Sequence, residues 1–362
     1  MSKLFILGTG FSKAVSCKLP TMKDLGEHVQ SKINELPGHE EYEKLISDPN
    51  NVEVLLTYLY QDMPWETASQ LYLEKSAFLQ ISQIIADYIT DCEKKVFEEK
   101  EKIPGWTEKF VSYLHENEAT IATFNYDTII ECLSLKYLEN KAPYKPDIPD
   151  LDISNLYNIP LTPLHIRTGE STGGSWFGVD RNKTYKHRLL KLHGSANWYY
   201  SEDMILSAQQ VYYSHDYIEL TLNENLSHEE YDEKNRILNR SKTGLSPLII
   251  PPVADKNLFY NITLVKTLWR NFYKAVEEAD EIYCIGYSLP QTDLSTRIFF
   301  SAVMDNPSKK VYLVNLQEGS ADLINNYRKV LKNKRKLFTK YISDNEPIKQ
   351  FVEDLVNESK GK

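Results

Sequence analysis

The fold is decided near the N-terminus by the stretch LFILGTGFS at residues 4–12. Its first four residues are all apolar, which is typical of a strand that is buried on both faces of a parallel sheet. The run stops at a Gly8-Thr9-Gly10 turn, and a helix can begin near Ser12. Glycines at such a turn let a pyrophosphate approach the backbone and the positive end of the helix dipole. The stretch therefore predicts the first βα unit of a nucleotide-binding sheet, with a contact set of Gly8, Thr9, Gly10, Phe11 and Ser12.

The dinucleotide fingerprint in this turn is incomplete. Lys13 stands where the G-x-G-x-x-G pattern has its third glycine. The acidic ribose-binding residue of dehydrogenases, which follows about 20 residues later, is not evident either. The turn alone is compatible with an ordinary strand-to-helix connection, and the sequence disfavours a standard dehydrogenase.

The rest of the chain alternates between strand-like and helix-like segments. After the first strand, further strands are predicted at residues 119–124, 189–192, 281–285 and 310–314. Strands that alternate with helices indicate parallel βαβ units. We therefore expect an α/β fold with a Rossmann-like open parallel sheet and helices on both faces.

The whole chain, residues 1–362, is predicted to form one domain with two insertions. The segment at about 22–115 has helical periodicity and is expected to form a mostly helical insertion subdomain. The charged run at residues 93–102 within it is interpreted as a solvated helix end or loop. The segment at about 199–246 is polar and is expected to be an irregular insertion that contains a hairpin and a helix at about 228–240.

Composition excludes several classes of protein. A formal net charge of −9 argues against a protein devoted to gripping phosphate backbones, so direct nucleic-acid binding is not expected. The four cysteines, Cys17, Cys92, Cys132 and Cys284, form no CxxC pair, so no zinc site of the usual spacing is expected. The N-terminus lacks the pattern of a signal peptide, and no stretch approaches the roughly 20 apolar residues of a membrane span. These features predict a cytoplasmic, metal-free protein without membrane attachment.

Polar and glycine residues follow directly after the predicted strands. Ligands of open α/β sheets bind at the carboxyl ends of the strands, near the point where the strand order reverses. Besides the first turn, four groups lie at such ends: Asn125-Tyr126-Asp127, His193-Gly194-Ser195, Gly286-Tyr287-Ser288 and Asn315. Their common placement predicts one site.

Three of these residues are candidates for catalysis. A histidine ordinarily has a pKa of about 6.5, so His193 can act as a base at neutral pH, although a lone histidine is more often structural. Asn125 and Asp127 alternate at a strand end, so both side chains can point toward a ligand. An amide can orient water or ribose hydroxyls, and a carboxylate can accept the hydrogens of a carboxamide. The alternative for Asp127 is capping of the helix that starts near Thr128.

These motifs, in this order, resemble those of the sirtuin superfamily. The resemblance rests on GTGFS at residues 8–12, FNYD at 124–127, KLHGS at 191–195, GYS at 286–288 and Asn315 within LVNL. It implies that NAD is bound across the sheet ends, with its pyrophosphate on the first turn. It also implies that Gly286, Ser288 and Asn315 hold the adenosine half, while Asn125, Asp127 and His193 are catalytic.

Two departures from deacylase sirtuins refine the resemblance. The zinc module with two CxxC pairs is missing, and KLPT at residues 18–21 replaces the Gly-Ile-Pro-Asp-Phe-Arg stretch. The pattern is instead similar to zinc-free sirtuin-like domains of bacterial antiphage defence, which hydrolyse NAD. The resemblance then implies an NAD glycohydrolase that forms nicotinamide and ADP-ribose, works as a homo-oligomer and acts with a separate partner such as a HerA-type ATPase. ADP-ribosyl transfer, NAD-dependent deacylation and non-catalytic sensing of NAD or ADP-ribose remain alternatives.

Overall fold

The computed structural model describes most of the chain. The described residues are 2–36, 39–42, 52–98, 103–141, 153–157, 159–164, 185–201, 210–214, 229, 236, 239–240, 242–250, 260, 262–304, 306, 308–331 and 336–360. Among the helices in these ranges, none is both long enough and apolar enough to cross a membrane.

The described elements alternate along the chain between strands and helices. Their order is β1 Lys3–Leu7, α1 Thr9–Val15, α2 Met22–Lys32, a 3-10 turn Ile33–Glu35, α3 His39–Tyr42, α4 Val52–Tyr60, α5 Ala68–Glu98, α6 Trp106–Glu116, β2 Thr120–Thr123, α7 Ile129–Lys141, α8 Ser154–Tyr157, β3 Thr162–Pro163, β4 Arg188–Lys191, β5 Gly194–Tyr200, β6 Val211–Tyr213, β7 Ser246–Ile249, α9 Thr263–Glu278, β8 Glu281–Ile285, α10 Leu294–Phe299, a π-helical turn Phe300–Met304, β9 Lys310–Leu316, α11 Ser320–Val330, β10 Leu337–Ser343 and α12 Pro347–Lys360.

Six of the strands form one parallel sheet in the order β10-β9-β8-β1-β2-β4. Counted along the chain within this sheet, the order is 3-2-1-4-5-6, which is the Rossmann order. The expected α/β fold with an open parallel sheet is confirmed. The order reverses between β1 and β8, and a ligand site is expected there.

The strands are buried on both faces, as the apolar run in β1 predicts. Leu4, Phe5, Ile6 and Leu7 are all buried, although successive side chains of a strand point to opposite faces. Helices therefore cover both faces of the sheet. On the face of Phe5, its ring contacts those of Phe110 from α6 and Phe351 from α12.

An aromatic ladder crosses this face of the sheet. Phe5, Tyr283, Tyr312 and Phe338 occupy paired positions on β1, β8, β9 and β10. Their rings stack in sequence, with centroids 5.6, 4.7 and 4.8 Å apart. Stacked rings on neighbouring strands stabilise the pairing of those strands and hold their register.

A second sheet was not expected from the sequence. Its order is β3-β6-β5-β7, with β5 antiparallel to both of its neighbours. It includes β6, which lies inside the 199–246 segment and pairs antiparallel with the end of β5 as in a hairpin. The described part of that segment is therefore more regular than expected. The helix expected at about 228–240 falls mostly outside the described residues.

The chain passes from one sheet to the other at Gly194. This residue has φ +80°, and a Cβ there would lie 1.9 Å from the carbonyl oxygen of Leu248. A left-handed residue in such close contact requires glycine. The turn places His193 at the junction of the two sheets.

Residues 22–115 contain five of the described helices, in line with the predicted helical character of this segment. The interpretation of residues 93–102 as a solvated end is wrong for Glu93, which is 0% exposed within α5. Its carboxylate accepts hydrogen bonds from the backbone N–H and the hydroxyl of Thr128, just before α7. A buried carboxylate is stabilised by such donors at a helix start.

Candidate functional site

A cavity of about 270 Å³ lies at the carboxyl ends of β1, β2, β4 and β8, where the strand order reverses. Six of the sequence-predicted site residues line it: Thr9, Asn125, Asp127, His193, Gly286 and Ser288. Its other lining residues are Pro20, Met22, Leu25, Ile89, Phe124, Tyr126, Tyr287, Pro290 and Asp293. The size is at the low end of small-molecule sites, so the cavity suits part of a dinucleotide.

Ser12 connects the two candidate residues that follow β2. Its hydroxyl donates to Oδ2 of Asp127 at 2.7 Å and accepts from Nδ2 of Asn125 at 2.9 Å. Ser12 is buried and follows β1, the strand that pairs with β2. The hydroxyl therefore fixes which atoms of the amide and the carboxylate remain directed at a ligand.

Asp127 is both a cavity residue and a helix cap. Its Oδ1 accepts from the backbone N–H of Ile129 at 3.3 Å, which confirms the capping alternative without removing the side chain from the cavity. Burial raises the pKa of Asp127, while the ammonium of Lys191 and the bond from Ser12 oppose that rise. A cation bound in the cavity would favour the ionised form of this carboxyl.

A buried ion pair lies directly beneath Asp127. Lys191 is 0% exposed, and its ammonium lies 2.8 Å from Oε1 of Glu131. The same ammonium donates to the backbone carbonyl of Asp127, and Tyr157 donates to Glu131 at 3.1 Å. Burial raises the pKa of Glu131, and Lys191 opposes that rise. The pair anchors the turn that carries Asp127 to β4.

His193 is held by a connected set of contacts that involves Asp293, Tyr287 and Phe124. Its Nε2 lies 3.4 Å from Oδ2 of Asp293, which also accepts from the hydroxyl of Tyr287 at 3.3 Å. The ring of Tyr287 stacks on Phe124 with centroids 4.4 Å apart. Phe124 in turn meets the imidazole edge-on at 4.9 Å. Together these contacts fix the position and the tilt of the imidazole.

The glycines of the first turn have a packing role that the sequence did not indicate. A Cβ on Gly8 would lie 2.6 Å from the carbonyl oxygen of Gly286, and one on Gly10 would lie 2.7 Å from its Cα. The N–H of Gly10 already donates to that carbonyl at 2.9 Å. These glycines let the turns after β1 and β8 touch, and the residue of the first turn that faces the cavity is Thr9.

Five of the eleven predicted site residues do not line the cavity: Gly8, Gly10, Phe11, Ser12 and Asn315. Phe11 is buried against the rings of Trp106 and Phe110 of α6. Asn315 lies on β9, where its side chain accepts from the backbone N–H of Leu316, and it is not among the lining residues.

Sequence reasoning missed two contributions to the site. Pro20, Met22, Leu25 and Ile89 come from the segment leading into α2, from α2 itself and from α5, and they form an apolar wall. Asp293, the N-cap of α10, was not recognised as a site residue. The acidic residue at the end of GYSLPQTD, seven residues after Gly286, was the available signal for it.

The cavity has an acidic and aromatic lining. Asp127 and Asp293 contribute carboxylates, and the rings of Phe124, Tyr126 and Tyr287 contribute faces or edges. All of its lining residues are described, and none is a lysine or an arginine. Such a lining favours a flat cation, because carboxylates and aromatic rings both attract positive charge. In the described part of the chain, no group of three metal-ligating side chains is close enough to hold an ion.

No family model matches the chain, and no curated protein matches its sequence. Among solved structures, one from work on the mechanism and regulation of Sir2 enzymes is 11% identical over 100% of this chain and 94% of its own, with a TM-score of 0.42. Another, from work on sirtuin substrate affinity, is 10% identical over 99% and 93%, with a TM-score of 0.40. TM-scores this low support no conclusion, so the fold assignment rests on the strand order.

Proposed function

We propose that this protein binds NAD in the cavity and hydrolyses the bond between nicotinamide and ribose. The observation that carries the proposal is an acidic, aromatic cavity at the strand-order reversal, with an amide, a carboxyl and a histidine on its wall. The nicotinamide of NAD is a flat, positively charged ring that carries a carboxamide. Such a group complements this lining in both charge and shape.

Each polar residue has a role that follows from its chemistry. Asp127 would accept the carboxamide N–H groups of nicotinamide, and Asn125 would position the attacking water. His193 would take the proton of that water. The carboxylate of Asp127 would also stabilise the positive charge that develops on ribose.

Hydrolysis consumes NAD and one water molecule and needs no other reactant. The bond between C1′ of ribose and the pyridinium nitrogen breaks, and its electron pair neutralises that nitrogen. The ribose carbon passes through an oxocarbenium-like state, as in other glycosidic cleavages. Water adds to C1′, and its proton leaves through His193 to the solvent. The products are nicotinamide, ADP-ribose and one proton.

The remainder of NAD would extend out of the cavity. Since the N–H of Gly10 is engaged by Gly286, we propose that the pyrophosphate meets the first turn at Thr9. Ser288 would hold the adenosine half together with Gly286, and Asn315 would contact it farther along the sheet edge.

Hydrolysis is tested by incubating the purified chain with NAD alone and quantifying nicotinamide and ADP-ribose by chromatography. His193→Ala should lower the turnover rate by about 100-fold or more, since a general base contributes roughly that factor. Asn125→Ala should lower it by about 100-fold, since misplacing a reacting group costs roughly that much. Asn306→Ala and His28→Ala, which replace the same residue types away from the cavity, are the matched controls. Full activity of a folded Asn125→Ala or His193→Ala variant would refute the assignment.

The same incubation separates the alternatives. Product formation that strictly requires an acylated peptide would indicate deacylation, and an ADP-ribosylated acceptor would indicate transfer. Saturable binding of NAD without any turnover would indicate a sensing module.

From the motif resemblance we further propose a cytoplasmic role in antiphage defence through NAD depletion. In this proposal the chain works as a homo-oligomer with a separate partner such as a HerA-type ATPase. Because uncontrolled loss of NAD is toxic, its activity should be low until it assembles. Activity measured across protein concentrations, with and without a co-expressed neighbouring gene product, tests this.

A further inference from the structure

We infer that Asp293 is a positioning residue that orients His193 and stabilises its protonated form during the reaction. The inference rests on the proposed function, because it gives a role to the carboxylate behind the proposed base. Asp293 is 100 positions from His193 in the sequence and belongs to a different element, the N-cap of α10.

The carboxylate is buried and held by several donors. Asp293 is 1% exposed and His193 is 3% exposed, so their contact of 3.4 Å is shielded from water. Oδ2 of Asp293 accepts from the hydroxyls of Thr296 at 2.6 Å and Tyr287 at 3.3 Å. Oδ1 accepts from the backbone N–H of Thr296 at 3.3 Å. Donors directed at a carboxylate favour its ionised form, and a buried negative charge acts strongly on a neighbouring imidazole.

The aromatic contacts make the arrangement rigid. Tyr287 donates to Asp293 with its hydroxyl and stacks on Phe124 with its ring, and Phe124 supports the imidazole. A helix cap, a buried carboxylate contact and two ring contacts therefore meet around one histidine. An imidazole whose orientation is fixed in this way needs no reorganisation when it accepts a proton.

The geometry also selects a tautomer. Since Nε2 faces the carboxylate, the hydrogen of a neutral imidazole is favoured on Nε2, and Nδ1 then carries the lone pair that takes the proton. The titratable groups that line the cavity with His193 are Tyr126, Asp127, Tyr287 and Asp293. Asp293 is the one whose carboxylate lies against the imidazole, so removing it should change the ring most.

The test replaces the charge and keeps the helix cap. Asp293→Asn retains an oxygen for the backbone N–H of Thr296, and Asp293→Ser supplies another good N-cap. NMR titration of the imidazole signals should show that either change lowers the pKa of His193 by about 1 or more. In kinetics, kcat for NAD should fall by about tenfold or more with little change in KM, and its acidic limb should move to lower pH. Asp322→Asn, an exposed aspartate in the first turn of α11, is the matched control.

The outcomes separate the two proposals. An unchanged pKa of His193 in both variants would overturn the role of Asp293, whatever the activity. A lowered pKa together with unchanged kcat would show that the pair is structural only, and would also overturn it. A wild-type chain that releases no nicotinamide would overturn the proposed function, while the titration would still measure the pairing of Asp293 with His193.

Discussion

Replacing Gly286 by alanine tests whether the turns after β1 and β8 depend on direct backbone contact. Gly286 has φ +61°, and a Cβ there would lie 2.3 Å from the backbone nitrogen of Phe11 and 2.5 Å from the carbonyl carbon of Gly10. Both neighbours are backbone atoms, so they cannot rotate away as a flexible side chain would. The new methyl group must push two strand ends apart.

The magnitude follows from two separable terms. A non-glycine residue in the left-handed region costs about 1–2 kcal/mol. Forcing a methyl group into a packed site adds about 1–3 kcal/mol. Gly286→Ala should therefore lower the free energy of unfolding by roughly 2–5 kcal/mol.

Two other glycines allow the conformational cost to be measured without the packing cost. Gly244 and Gly319 also have positive φ, at +74° and +69°, but a Cβ on either would meet nothing within 4 Å. Their alanine variants should show the conformational cost alone, about 1–2 kcal/mol. Equilibrium unfolding in urea, with circular dichroism as the signal, measures all three variants. A loss in Gly286→Ala no larger than that in the two controls would refute the packing argument.

Three further predictions concern buried titratable groups. Lys191→Met leaves the carboxylate of Glu131 buried without its ammonium partner, so the free energy of unfolding should fall by about 3–5 kcal/mol. Adding Glu131→Gln should recover part of that loss. A double variant that is no more stable than Lys191→Met in urea unfolding would contradict the pairing. Burial raises the pKa of Asp127, so its ionised form costs stability above the folded-state pKa. Asp127→Asn should therefore be at least as stable as the wild type at pH 7 although it loses activity, and its advantage should shrink as the pH falls through that pKa; a variant that gains on the wild type in acid would refute this. Burial lowers the pKa of His187 to about 3, whereas an unperturbed histidine has a pKa of about 6.5. In the pH range between these two pKa values, the unfolded chain binds a proton at this residue and the folded chain does not. In that range, acidification should lower the free energy of unfolding by about 1.4 kcal/mol per pH unit through this residue. In His187→Gln the difference between the urea midpoints at pH 7 and pH 4.5 should be smaller than in the wild type. An equal difference in both proteins would exclude this role of His187.

The parallel sheet and the strand-end residues were predictable because their signals are local. A short apolar run followed by glycine or a polar residue marks a buried strand and its carboxyl end. Once several such strands are parallel, their ends meet at one edge, which brought Asn125, Asp127 and His193 to one cavity. The prediction needed the direction of the strands and not their order.

What the sequence could not show depends on contacts between distant segments. Asp293 joins the site because α10 lies beside the end of β4, and apart from its place in GYSLPQTD it looks like an ordinary helix cap in the sequence. Glu93 belongs to a charged run, and charge by itself predicts exposure. The sequence also does not show that the backbone N–H of Thr128, just before α7, needs a hydrogen-bond acceptor from α5.

The second sheet was missed for another physical reason. All seven residues of β5 are buried, so the strand shows no alternation of apolar and polar residues. Its last three residues, Trp198, Tyr199 and Tyr200, were the remaining signal, because aromatic residues favour strands. β10 and α12 follow a lysine-rich stretch at residues 329–336, whose charge is typical of a solvated helix face and gives no strand signal.

The position of α5 limits how this chain can be rearranged by evolution or by protein engineering. Ile89 lines the cavity, and Glu93, one turn later on the same helix, caps the start of α7. Deletion of the helical segment would therefore remove a cavity wall and leave the N–H of Thr128 without this acceptor. A shortened chain that kept only the parallel sheet would retain the strand order and lose a complete site. The segment at residues 22–115 is thus no detachable module, and variation that preserves function must keep at least the second half of α5.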